Sequence, residues 1–497
     1  MKLIHDVYEG AGASVQYFEE VSAADIEALH REIEEGGFAC DEENLLGGNA
    51  FSFYKKGEVS KLLAYYPAIG QAKLVSDEKP IINGLCDRTG EKNCEPLLSM
   101  VDTFDFGLSF VIRLEDGRFI VFDGGWEERD YAERLMALLK KQCVTEKITI
   151  AAWIITHPHI DHYRCFISFA KKFENQYVLQ RLIYNFFDSD TKNDKIEGAE
   201  KEGPHMARFF ESVQNSGAPV YRAHTGEVFD IEGAHFEILS SPDDTLKPKT
   251  TNINTLSLVF KITYKGQTIL MTGDAMLPSS KLASRFGAYL KSDILQVPHH
   301  MFDGGCTACY RLIDPETILI PCEDEYVFSV FSTRANHTKE ANTFLLRDLN
   351  VRDCYTGARG NIVLPLPHTP RANGRELLLA DLEEGDRSLG AKDWYFADIT
   401  TENCTFTLVN TSWETAKLRI DIISEVGGGA SVHDFKELTI PKIRYRVVNL
   451  NDEEGYEPEA RGGEISKFFK EGEKYVLRFR CYTPLIVKGP NEPIYHS

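Results

Sequence analysis

A strand-like segment that ends in a cluster of histidines constrains the fold of this 497-residue chain more than any other feature. Residues 148–155 read ITIAAWII, an apolar and β-branched run that is typical of a buried strand. The motif Thr-His-Pro-His-Ile-Asp-His follows at once, at residues 156–162. The sequence therefore predicts a buried strand whose C-terminal end carries a dense set of potential metal ligands.

The motif offers four metal-ligating side chains within six positions: His157, His159, Asp161 and His162. His157 and His159 are two residues apart, and Pro158 fixes the backbone between them, so both imidazoles can face one cation. Asp161 and His162 are then free to hold a second cation. Imidazole nitrogens with one carboxylate suit zinc, and also manganese or iron. The alternative is that a chain with 14 histidines clusters some of them by accident, which is improbable for so dense a pattern.

The arrangement of a strand followed by a potential ligand occurs three more times. The segments are a hairpin at residues 108–122 that ends at Asp123, a hairpin at residues 256–271 that leads to Asp274, and a strand at residues 294–297 that precedes His299 and His300. Helical patterns at residues 127–141 and 279–290 separate these strands. In such a fold the strand ends meet at one sheet edge, so we expect these side chains to lie close together.

This order of motifs resembles the metallo-β-lactamase superfamily over most of residues 100–367. The run NTLSLVFKITYKGQTILMTGDA, followed by DILQVPHH, is similar to the hydrolase domain of bacterial DNA-internalisation competence proteins and to teichoic acid phosphorylcholine esterase. The segment RANHTKEANTFLLRDLNVRDCYTGARGNIVLPL resembles the same branch. The resemblance implies a mixed α/β fold, an αββα sandwich with a pair of metal ions at one edge.

The resemblance also implies a role for each ligand. His157 and His159 would bind one ion, Asp161 and His162 would bind the other, and Asp274 would bridge the two. A carboxylate has two oxygens and can span two cations, which an imidazole cannot do. Asp123 matches a carboxylate of the superfamily that orients the histidine motif.

Two positions in this ligand set stay open. His299 and His300 are adjacent, and we expect His299 to bind metal, because it follows the strand directly, with His300 lining the pocket. The superfamily also has a histidine midway between the histidine motif and the bridging aspartate. The candidates for this position are His205, His224 and His235, and we expect each of them to be a surface or loop residue and not a ligand. Asn252 or Asn254 could contribute to the site instead.

The implied metal pair indicates a hydrolytic mechanism. Two divalent cations, zinc first and manganese or iron as alternatives, would lower the pKa of a bridging water, create a hydroxide nucleophile and polarise the scissile bond. Phosphodiesters, phosphomonoesters, thioesters and lactones all suit such a site, and the resemblance favours phosphodiesters. We assign four residues to the catalytic site: Asp123, Asp161, His300 and His337. Asp161 is also one of the expected metal ligands. His337 would either protonate the leaving group or simply begin a helix.

Two other classes of function remain open. Relatives of this fold include iron-dependent oxidoreductases, although the sequence shows no appended flavin-binding domain. A binding or scaffold protein with a decayed site is the third interpretation, which the intact histidine motif and Asp274 disfavour. The metal content of the protein distinguishes these three functions. Zinc or manganese favours hydrolysis, one redox-active iron favours oxidation, and the absence of metal favours a scaffold.

The net charge and the apolar runs of the sequence indicate which partners the protein can bind and where it is located. A net charge of −21 argues against a partner bound mainly through phosphates, so the expected substrate is a small molecule or a polymer end that carries an ester, and not a nucleic acid. No apolar run is long enough to span a membrane, and the first residues lack the apolar core of a signal peptide, so a cytoplasmic protein is predicted.

The 11 cysteines of the chain are expected to be reduced thiols and not a disulfide framework. Cys306 and Cys309 form a CxxC in a predicted helix, which is expected to be structural.

Three compositional zones predict three domains. Residues 1–95 are a small α+β module with a helix at residues 23–35 that Ser22 caps. Residues 96–370 are the hydrolase domain, and residues 371–497 are a β-rich, sandwich-like module of short alternating runs. We expect the last module to pack on the hydrolase domain and to help it dimerise, with binding of a polymer, glycan or lipid head group as the alternative.

Overall fold

The structure is a computed structural model, and it describes residues 1–8, 13–102, 107–127, 130–185, 199–244, 252–322, 327, 336–357, 360–379, 392–410, 416–423, 432–440, 444–450, 470–481, 485–493 and 495–496. The chain divides into two compact units, Met1–Glu376 and Leu377–Ser497. All 11 cysteines lie in the described ranges, and every one of them is a free thiol. No helix in these ranges is long and apolar enough to cross a membrane.

The first unit begins with an antiparallel sheet and one helix. In chain order the elements are β1 (Lys2–Tyr8), β2 (Ala13–Glu19), α1 (Ala23–Glu35), β3 (Ala39–Leu46), β4 (Asn49–Lys56), β5 (Val59–Tyr66) and β6 (Gln71–Asp77), and the sheet order is β1-β2-β6-β5-β4-β3. The helix predicted at residues 23–35 is confirmed, and Ser22 caps it, because its hydroxyl oxygen accepts the Asp25 N–H at 3.3 Å. Ile26 and Ile33 belong to the buried face of α1, which packs on this sheet.

The rest of the first unit alternates strands with helices. The strands are β7 (Cys86–Asp87), β8 (Leu97–Met100), β9 (Ser109–Arg113), β10 (Phe119–Asp123), β11 (Ile148–Ile154), β12 (Tyr177–Leu179), β13 (Leu182–Tyr184), β14 (Val220–Arg222), β15 (Val228–Ile231), β16 (Ala234–Ser240), β17 (Val259–Tyr264), β18 (Gln267–Met271), β19 (Ile294–Gln296), β20 (Thr317–Ile320), β21 (Asp353–Thr356) and β22 (Ile362–Pro365). The helices are α2 (Tyr131–Gln142), α3 (Ile160–Lys172), α4 (Ala199–Ser216), α5 (Leu282–Phe286), α6 (Thr307–Ile313) and α7 (Asn336–Thr343). Short 3₁₀ turns include Pro242–Asp244, Ile253–Leu256, Gly287–Leu290 and Pro298–Met301.

These strands form two sheets that share one core. Over the described residues, the first sheet has the order β14-β13-β11-β10-β9-β8-β22, with β12 also paired to β11, and the second has the order β21-β20-β19-β18-β17-β16-β15-β7. β10 is parallel to β11, and β18 is parallel to β19, so the strands that carry the ligand motifs end at one edge within each sheet. Phe122 of the first sheet packs against Phe236 and Phe260 of the second, with ring centroids 6.4 Å and 6.2 Å away. The interior between the sheets is apolar and fully buried.

Helices complete the sandwich. Trp153 of β11 packs edge-on against Phe166 and Phe169 of α3, and the ring centroids are 5.0 Å apart in both pairs. α3 also contacts α2 and α4, and α6 contacts α5 and α7. The predicted αββα sandwich is therefore confirmed.

The second unit is a β-sandwich, which confirms the predicted β-rich module. Its strands are β23 (Lys392–Ile399), β24 (Thr405–Asn410), β25 (Ala416–Ile423), β26 (Val432–Ile440), β27 (Arg444–Asn449), β28 (Tyr475–Cys481), β29 (Leu485–Lys488) and β30 (Tyr495–His496). The described strands form two sheets, of order β26-β25-β28-β23-β30 and β27-β24-β29. Phe396 and Phe479 of the first sheet and Phe406 of the second meet in one core, with ring centroids 4.4–5.4 Å apart.

Two predicted helices differ from the observed ones in length. The helix expected at residues 127–141 begins at Tyr131, and the helix expected at residues 279–290 is the five-residue α5 followed by a 3₁₀ turn. Lys281, just before α5, has a left-handed φ of 56°, so a continuous helix cannot pass through it. The two predicted boundaries between the domains stay predictions. Residues 1–95 and 96–370 lie in one compact unit, and the second unit begins at Leu377.

Candidate metal centre

Loops that follow strands bring the predicted ligands to one edge of the sandwich. The segments are Asp123 at the end of β10, the histidine motif after β11, Asp274 after β18, and His299 and His300 after β19. Backbone hydrogen bonds connect the loops, because the Leu258 N–H donates to the Thr156 carbonyl at 2.9 Å and the His299 N–H donates to the Gly273 carbonyl at 3.2 Å. The backbone of the two sheets, and not only their side chains, therefore fixes the distance between the motifs.

Four buried side chains form the first ligand group: Asp161, His162, Asp274 and His300. The Nε2 atom of His162 lies 3.1 Å from Asp274 Oδ2 and 3.8 Å from Asp161 Oδ2. The Nε2 atom of His300 lies 3.2 Å from Asp161 Oδ2 and 3.4 Å from Asp274 Oδ1. Two nitrogens and two carboxylates thus face one small volume, and this donor set suits a divalent transition-metal ion.

Asp274 also belongs to a second ligand group, with His157 and His159. The Nε2 atom of His157 lies 3.8 Å from Asp274 Oδ2. Asp274 is buried, and neither of its carboxylate oxygens has a hydrogen-bond partner among the described residues. A buried carboxylate is costly unless positive charge beside it, from protonated imidazoles or from metal ions, compensates its own charge. The structure thus provides two overlapping groups that share one carboxylate.

Outer contacts hold two of the imidazoles with Nε2 towards the ligand groups. The Nδ1–H of His162 donates to Asp123 Oδ2 at 2.9 Å, and the Nδ1–H of His300 donates to the Pro321 carbonyl at 2.9 Å. A carboxylate and a carbonyl can only accept, so Nδ1 carries a hydrogen in both rings. Each Nε2 is then the atom available to a metal ion, which is the arrangement that metal-ligating histidines adopt.

The electrostatics of the first group favour positive charge. Burial would raise the pKa of Asp161 and Asp274, but the imidazoles of His162 and His300 outweigh it and hold both pKa values well below the usual range. Burial would likewise lower the pKa of His162 and His300, but the carboxylates raise the first well above its ordinary value and the second to about 10. Burial keeps the pKa of His157 well below its usual value, so that ring is neutral. The residues therefore fit divalent cations, which can replace the protons on the imidazoles.

Asp123 lies outside both ligand groups and positions the histidine motif. Its Oδ1 accepts the Thr156 backbone N–H at 2.7 Å, and its Oδ2 accepts the Thr156 hydroxyl at 2.8 Å as well as the His162 Nδ1–H. Because the hydroxyl proton goes to the carboxylate, Thr156 Oγ1 is left to accept the Nδ1–H of His157 at 3.1 Å. One buried carboxylate thus sets the tautomers of two histidines, which supports the orienting role predicted for Asp123.

Replacing Asp123 by asparagine should weaken metal binding about 10–100-fold, the usual cost of losing an outer contact of a ligand. The new amide N–H would face the Nδ1–H of His162 and favour the tautomer that protonates Nε2. Competition with a zinc-binding fluorescent chelator measures the affinity. Thr156→Ser, which keeps the hydroxyl, is the matched control and should bind zinc like the unaltered protein. An unchanged affinity for the asparagine variant would contradict the orienting role.

His300, and not His299, joins the candidate ligand group. Both residues have left-handed φ values, 50° and 48°, which reverse the chain and turn their side chains apart. His300 is buried beside Asp161, whereas His299 Nε2 accepts the Asn254 amide N–H at 3.0 Å and its Nδ1–H donates to Asp303 at 2.5 Å. The geometry thus favours the reverse of the expectation that His299 binds metal and His300 lines the pocket.

Asn254 lies beside the second ligand group. Because its amide N–H donates to His299, its carbonyl oxygen faces His157 Nε2 at 3.1 Å. With the hydrogen of His157 on Nδ1, two lone pairs face each other there, and a cation close to both would relieve their repulsion. Asn252 instead caps the turn that presents Asn254, because its side chain accepts the Asn254 backbone N–H at 2.9 Å.

The other candidate histidines do not join these groups in the described structure. His205 is half-buried, and its Nδ1 lies 4.0 Å from Glu127. His235 has a side chain 39% exposed and lies 3.4 Å from Asp230. His337 lies in α7, and its side chain falls outside the described part of the chain, so its proposed role stays a prediction.

His224 is a loop residue, as expected, but it is buried and not at the surface. Its Nε2 lies 3.0 Å from Asp77 and its Nδ1 lies 3.2 Å from Asp243. Burial opposes its charge, yet the two carboxylates raise the pKa of His224 to about 10. His224 therefore pairs with these two buried carboxylates and is not a ligand in either group.

Known proteins resemble this chain over its central region. Residues 102–320 match the family model of the Metallo-beta-lactamase superfamily. ComE operon protein 3 of Bacillus subtilis (strain 168) is 24% identical over 260 residues, which cover 50% of this chain and 30% of that protein. The match thus spans less than a third of that relative's length.

Two solved structures are similar to this chain at lower sequence identity. CmlA, a diiron β-hydroxylase from Streptomyces venezuelae, is 13% identical with a TM-score of 0.34, and the match covers 56% of this chain and 55% of CmlA. YhfI, a metallo-beta-lactamase fold protein from Bacillus subtilis, is 11% identical with a TM-score of 0.34, and the match covers 54% of this chain and 99% of YhfI.

Proposed function

Residues 102–320 form a domain of the metallo-β-lactamase superfamily, as the motifs predicted, and we propose that it is a dinuclear hydrolase that cleaves a phosphodiester or a related ester. Members of this superfamily are generally metal-dependent hydrolases. The observation that carries the proposal is the position of Asp274, whose buried carboxylate belongs to both ligand groups. A shared carboxylate is the arrangement expected where two cations act on one substrate.

The ligands divide between two cations. One would take His157, His159, one oxygen of Asp274 and the Asn254 carbonyl, and the other would take Asp161, His162, His300 and the second oxygen of Asp274. Zinc suits this set of nitrogens and carboxylates, with manganese or iron as alternatives. When bound, the pair would supply a nucleophile from water near neutral pH and polarise the scissile bond. Asp123 and Thr156 would keep the imidazoles in the tautomer that this requires.

The exposure of the ligands supports one direction of substrate approach. The side chain of His159 is 39% exposed and that of His299 is 16% exposed, whereas His157, His162 and His300 are buried. Substrate would therefore reach the second ligand group first, on the side of His159 and His299. His299, held between Asn254 and Asp303, would contact the substrate and not the metal.

We further propose a cytoplasmic hydrolase whose substrate is a small molecule or a polymer end. The similarity to the competence-protein branch supports a phosphodiester, and it rests on half of this chain. The net charge of −21 disfavours a long polyanion such as nucleic acid, because no compensating basic run is visible in the sequence. Homodimerisation through the C-terminal module stays a prediction.

Metal content and hydrolysis test the proposed function together. Protein purified without added metal is analysed by elemental mass spectrometry and assayed with bis(p-nitrophenyl) phosphate. We expect about two equivalents of zinc or manganese, the number that a shared carboxylate implies. His159→Ala should lose one equivalent and the activity, because His159 is a ligand of one group only.

His235→Ala is the matched control, because the His235 side chain is equally exposed, at 39%, and lies outside both ligand groups. It should keep both metal ions and full activity. One redox-active iron, with no hydrolysis, would support the oxidoreductase alternative instead. Protein without metal and without activity, even after zinc is added, would support a scaffold and refute the hydrolase.

A further inference from the structure

Cys306 and Cys309 form a pair of thiols next to the loop that carries His300. The sequence predicted a CxxC inside a helix. In the structure Cys306 is the N-cap residue of α6 and has extended backbone angles, so the CxxC begins just before the helix. Its sulfur accepts the backbone N–H of Cys309 at 3.4 Å. Cys306 is half-buried, whereas Cys309 is buried. The two thiols therefore lie close together but differ in their access to solvent.

The surroundings of the pair make one cysteine the better nucleophile. The contact with the Cys309 sulfur is the largest cause that lowers the pKa of Cys306, and the backbone N–H groups of Cys309 and Ala308 add to it against the effect of burial. The same contact, together with burial, raises the pKa of Cys309 well above its usual value. The accessible sulfur is thus the one that carries the thiolate, as in thiol–disulfide exchange motifs.

We propose that Cys306 and Cys309 form a reversible intrachain disulfide by exchange with a low-molecular-weight disulfide such as oxidised glutathione. The Cys306 thiolate attacks one sulfur of that disulfide, whose S–S bond breaks and releases one thiolate. Cys309 then loses its proton and attacks the Cys306 sulfur, and the second thiolate leaves. The cysteine pair is oxidised by two electrons, and the external disulfide is reduced to two thiolates, which take up the proton from Cys309 and one proton from water.

The position of Cys306 outside the helix favours this bond. Two residues three positions apart within a helix have Cβ atoms about 5–6 Å apart, which is too far for direct bonding. A disulfide needs a Cβ separation of about 3.5–4.5 Å. Cys306 stands outside the helix, with φ −146° and ψ 149°, and its side chain bends back over the first turn. The 3.4 Å contact with the Cys309 N–H therefore brings the Cys306 sulfur to the residue with which it would bond.

The disulfide would form where two metal-site loops meet. The Leu277 N–H, three residues after Asp274, donates to the Gly304 carbonyl at 2.8 Å, and the Leu277 carbonyl lies 3.8 Å from the Cys309 sulfur. Oxidation would remove the Cys309 S–H that donates to the Leu277 carbonyl, and it would therefore weaken this contact between the cysteine pair and the turn that follows Asp274. The disulfide itself depends on the two thiols and their backbone contacts, so it does not rest on the proposed hydrolase activity.

Mass spectrometry of the full-length protein tests this proposal. The reduced protein is equilibrated under native conditions with a series of ratios of reduced to oxidised glutathione, quenched with acid, alkylated and digested. We expect the peptide that contains Cys306 and Cys309 to lose two hydrogens and to escape alkylation as the buffer becomes oxidising. Return to the reducing buffer should restore alkylation at both cysteines.

The other cysteines and one variant provide the controls. Cys40 and Cys86 are exposed, so they should remain alkylatable or carry glutathione under the same conditions. In Cys309→Ala, a small apolar replacement for a buried thiol, the glutathione adduct should accumulate on Cys306 because no resolving thiol is present. The proposal is overturned if Cys306 and Cys309 stay alkylatable while Cys40 and Cys86 gain glutathione, or if the adduct also accumulates on Cys306 when Cys309 is present.

Discussion

Replacing Asp274 by asparagine should abolish hydrolysis and remove both metal ions, a larger effect than any other single change at the site. The two Asp274 oxygens face both ligand groups, so this substitution removes the one negative charge that the two cations would share. Loss of several kcal/mol of transition-state stabilisation corresponds to a rate at least about a thousand-fold lower. Elemental analysis and the rate of bis(p-nitrophenyl) phosphate hydrolysis measure the two effects on the same sample.

The same variant should still fold. Asparagine has nearly the shape of aspartate, so the substitution leaves no cavity at this buried position. In a metal chelator, its midpoint of thermal unfolding should be lower than that of the unaltered protein, because the charged imidazoles of His162 and His300 lose one of their carboxylate partners. Retention of two metal ions and of activity would refute the shared role of Asp274. Asp123→Asn should have a weaker effect, because it alters only the orientation of His162 and His157.

The main part of the candidate site could be predicted from the sequence because each ligand follows a strand. The run at residues 148–155 and the hairpins before Asp123 and Asp274 have strong apolar patterns, and parallel neighbours bring strand ends to one edge. The choice between His299 and His300 could not be predicted in this way. It depends on left-handed backbone angles at three successive residues, His299, His300 and Met301, and no local preference of these side chains indicates such a turn.

The strands of the N-terminal sheet show a second limit of sequence patterns. β4, β5 and β6 have a clear strand signal in the sequence, because they contain aromatic and aliphatic residues that are buried, such as Phe51, Phe53 and Leu63. β3 has no such signal, because its residues are mostly polar and exposed, and its strand form follows from pairing with β4. The β-propensity of a residue mainly reflects how its side chain packs on a half-buried sheet surface. A strand with mostly exposed side chains is therefore difficult to predict from its sequence.

The burial of His224 could not be predicted from the sequence either, because the residues that it pairs with are distant in the chain. Asp77 lies 147 residues before it, at the end of β6, and Asp243 lies 19 residues after it, in the turn that follows β16. Lys73 of β6 also pairs with Asp243 and lies 2.8 Å from Asp244, and Arg285 lies 2.8 Å from Asp244. We call these residues, Lys73, Asp77, His224, Asp243, Asp244 and Arg285, the buried ionic network. It joins the N-terminal sheet to the sandwich.

Replacing Lys73 by methionine should lower the free energy of unfolding by about 3–5 kcal/mol, because removal of one partner leaves buried carboxylates uncompensated. The side chains of Lys73, Asp243 and Asp244 are at most 1% exposed. Burial opposes the charge on Lys73, but Asp243 and Asp244 outweigh it and raise its pKa, so the side chain is charged at neutral pH. Urea unfolding followed by tryptophan fluorescence measures the change in the whole protein.

Lys55→Met is the matched control for Lys73→Met, because Lys55 lies in the same sheet and pairs with Asp41 at 2.5 Å, but both side chains are about half exposed. An exposed pair contributes about 0–1 kcal/mol, so this variant should unfold almost like the unaltered protein. Adding Asp243→Asn to Lys73→Met should recover part of the lost stability, because one unpaired charge is then removed as well. Equal and small effects of the two lysine substitutions would contradict the network. The expected difference would instead make the N-terminal sheet an integral part of the unit that carries the candidate metal centre, since its Lys73 would neutralise carboxylates that belong to the sandwich.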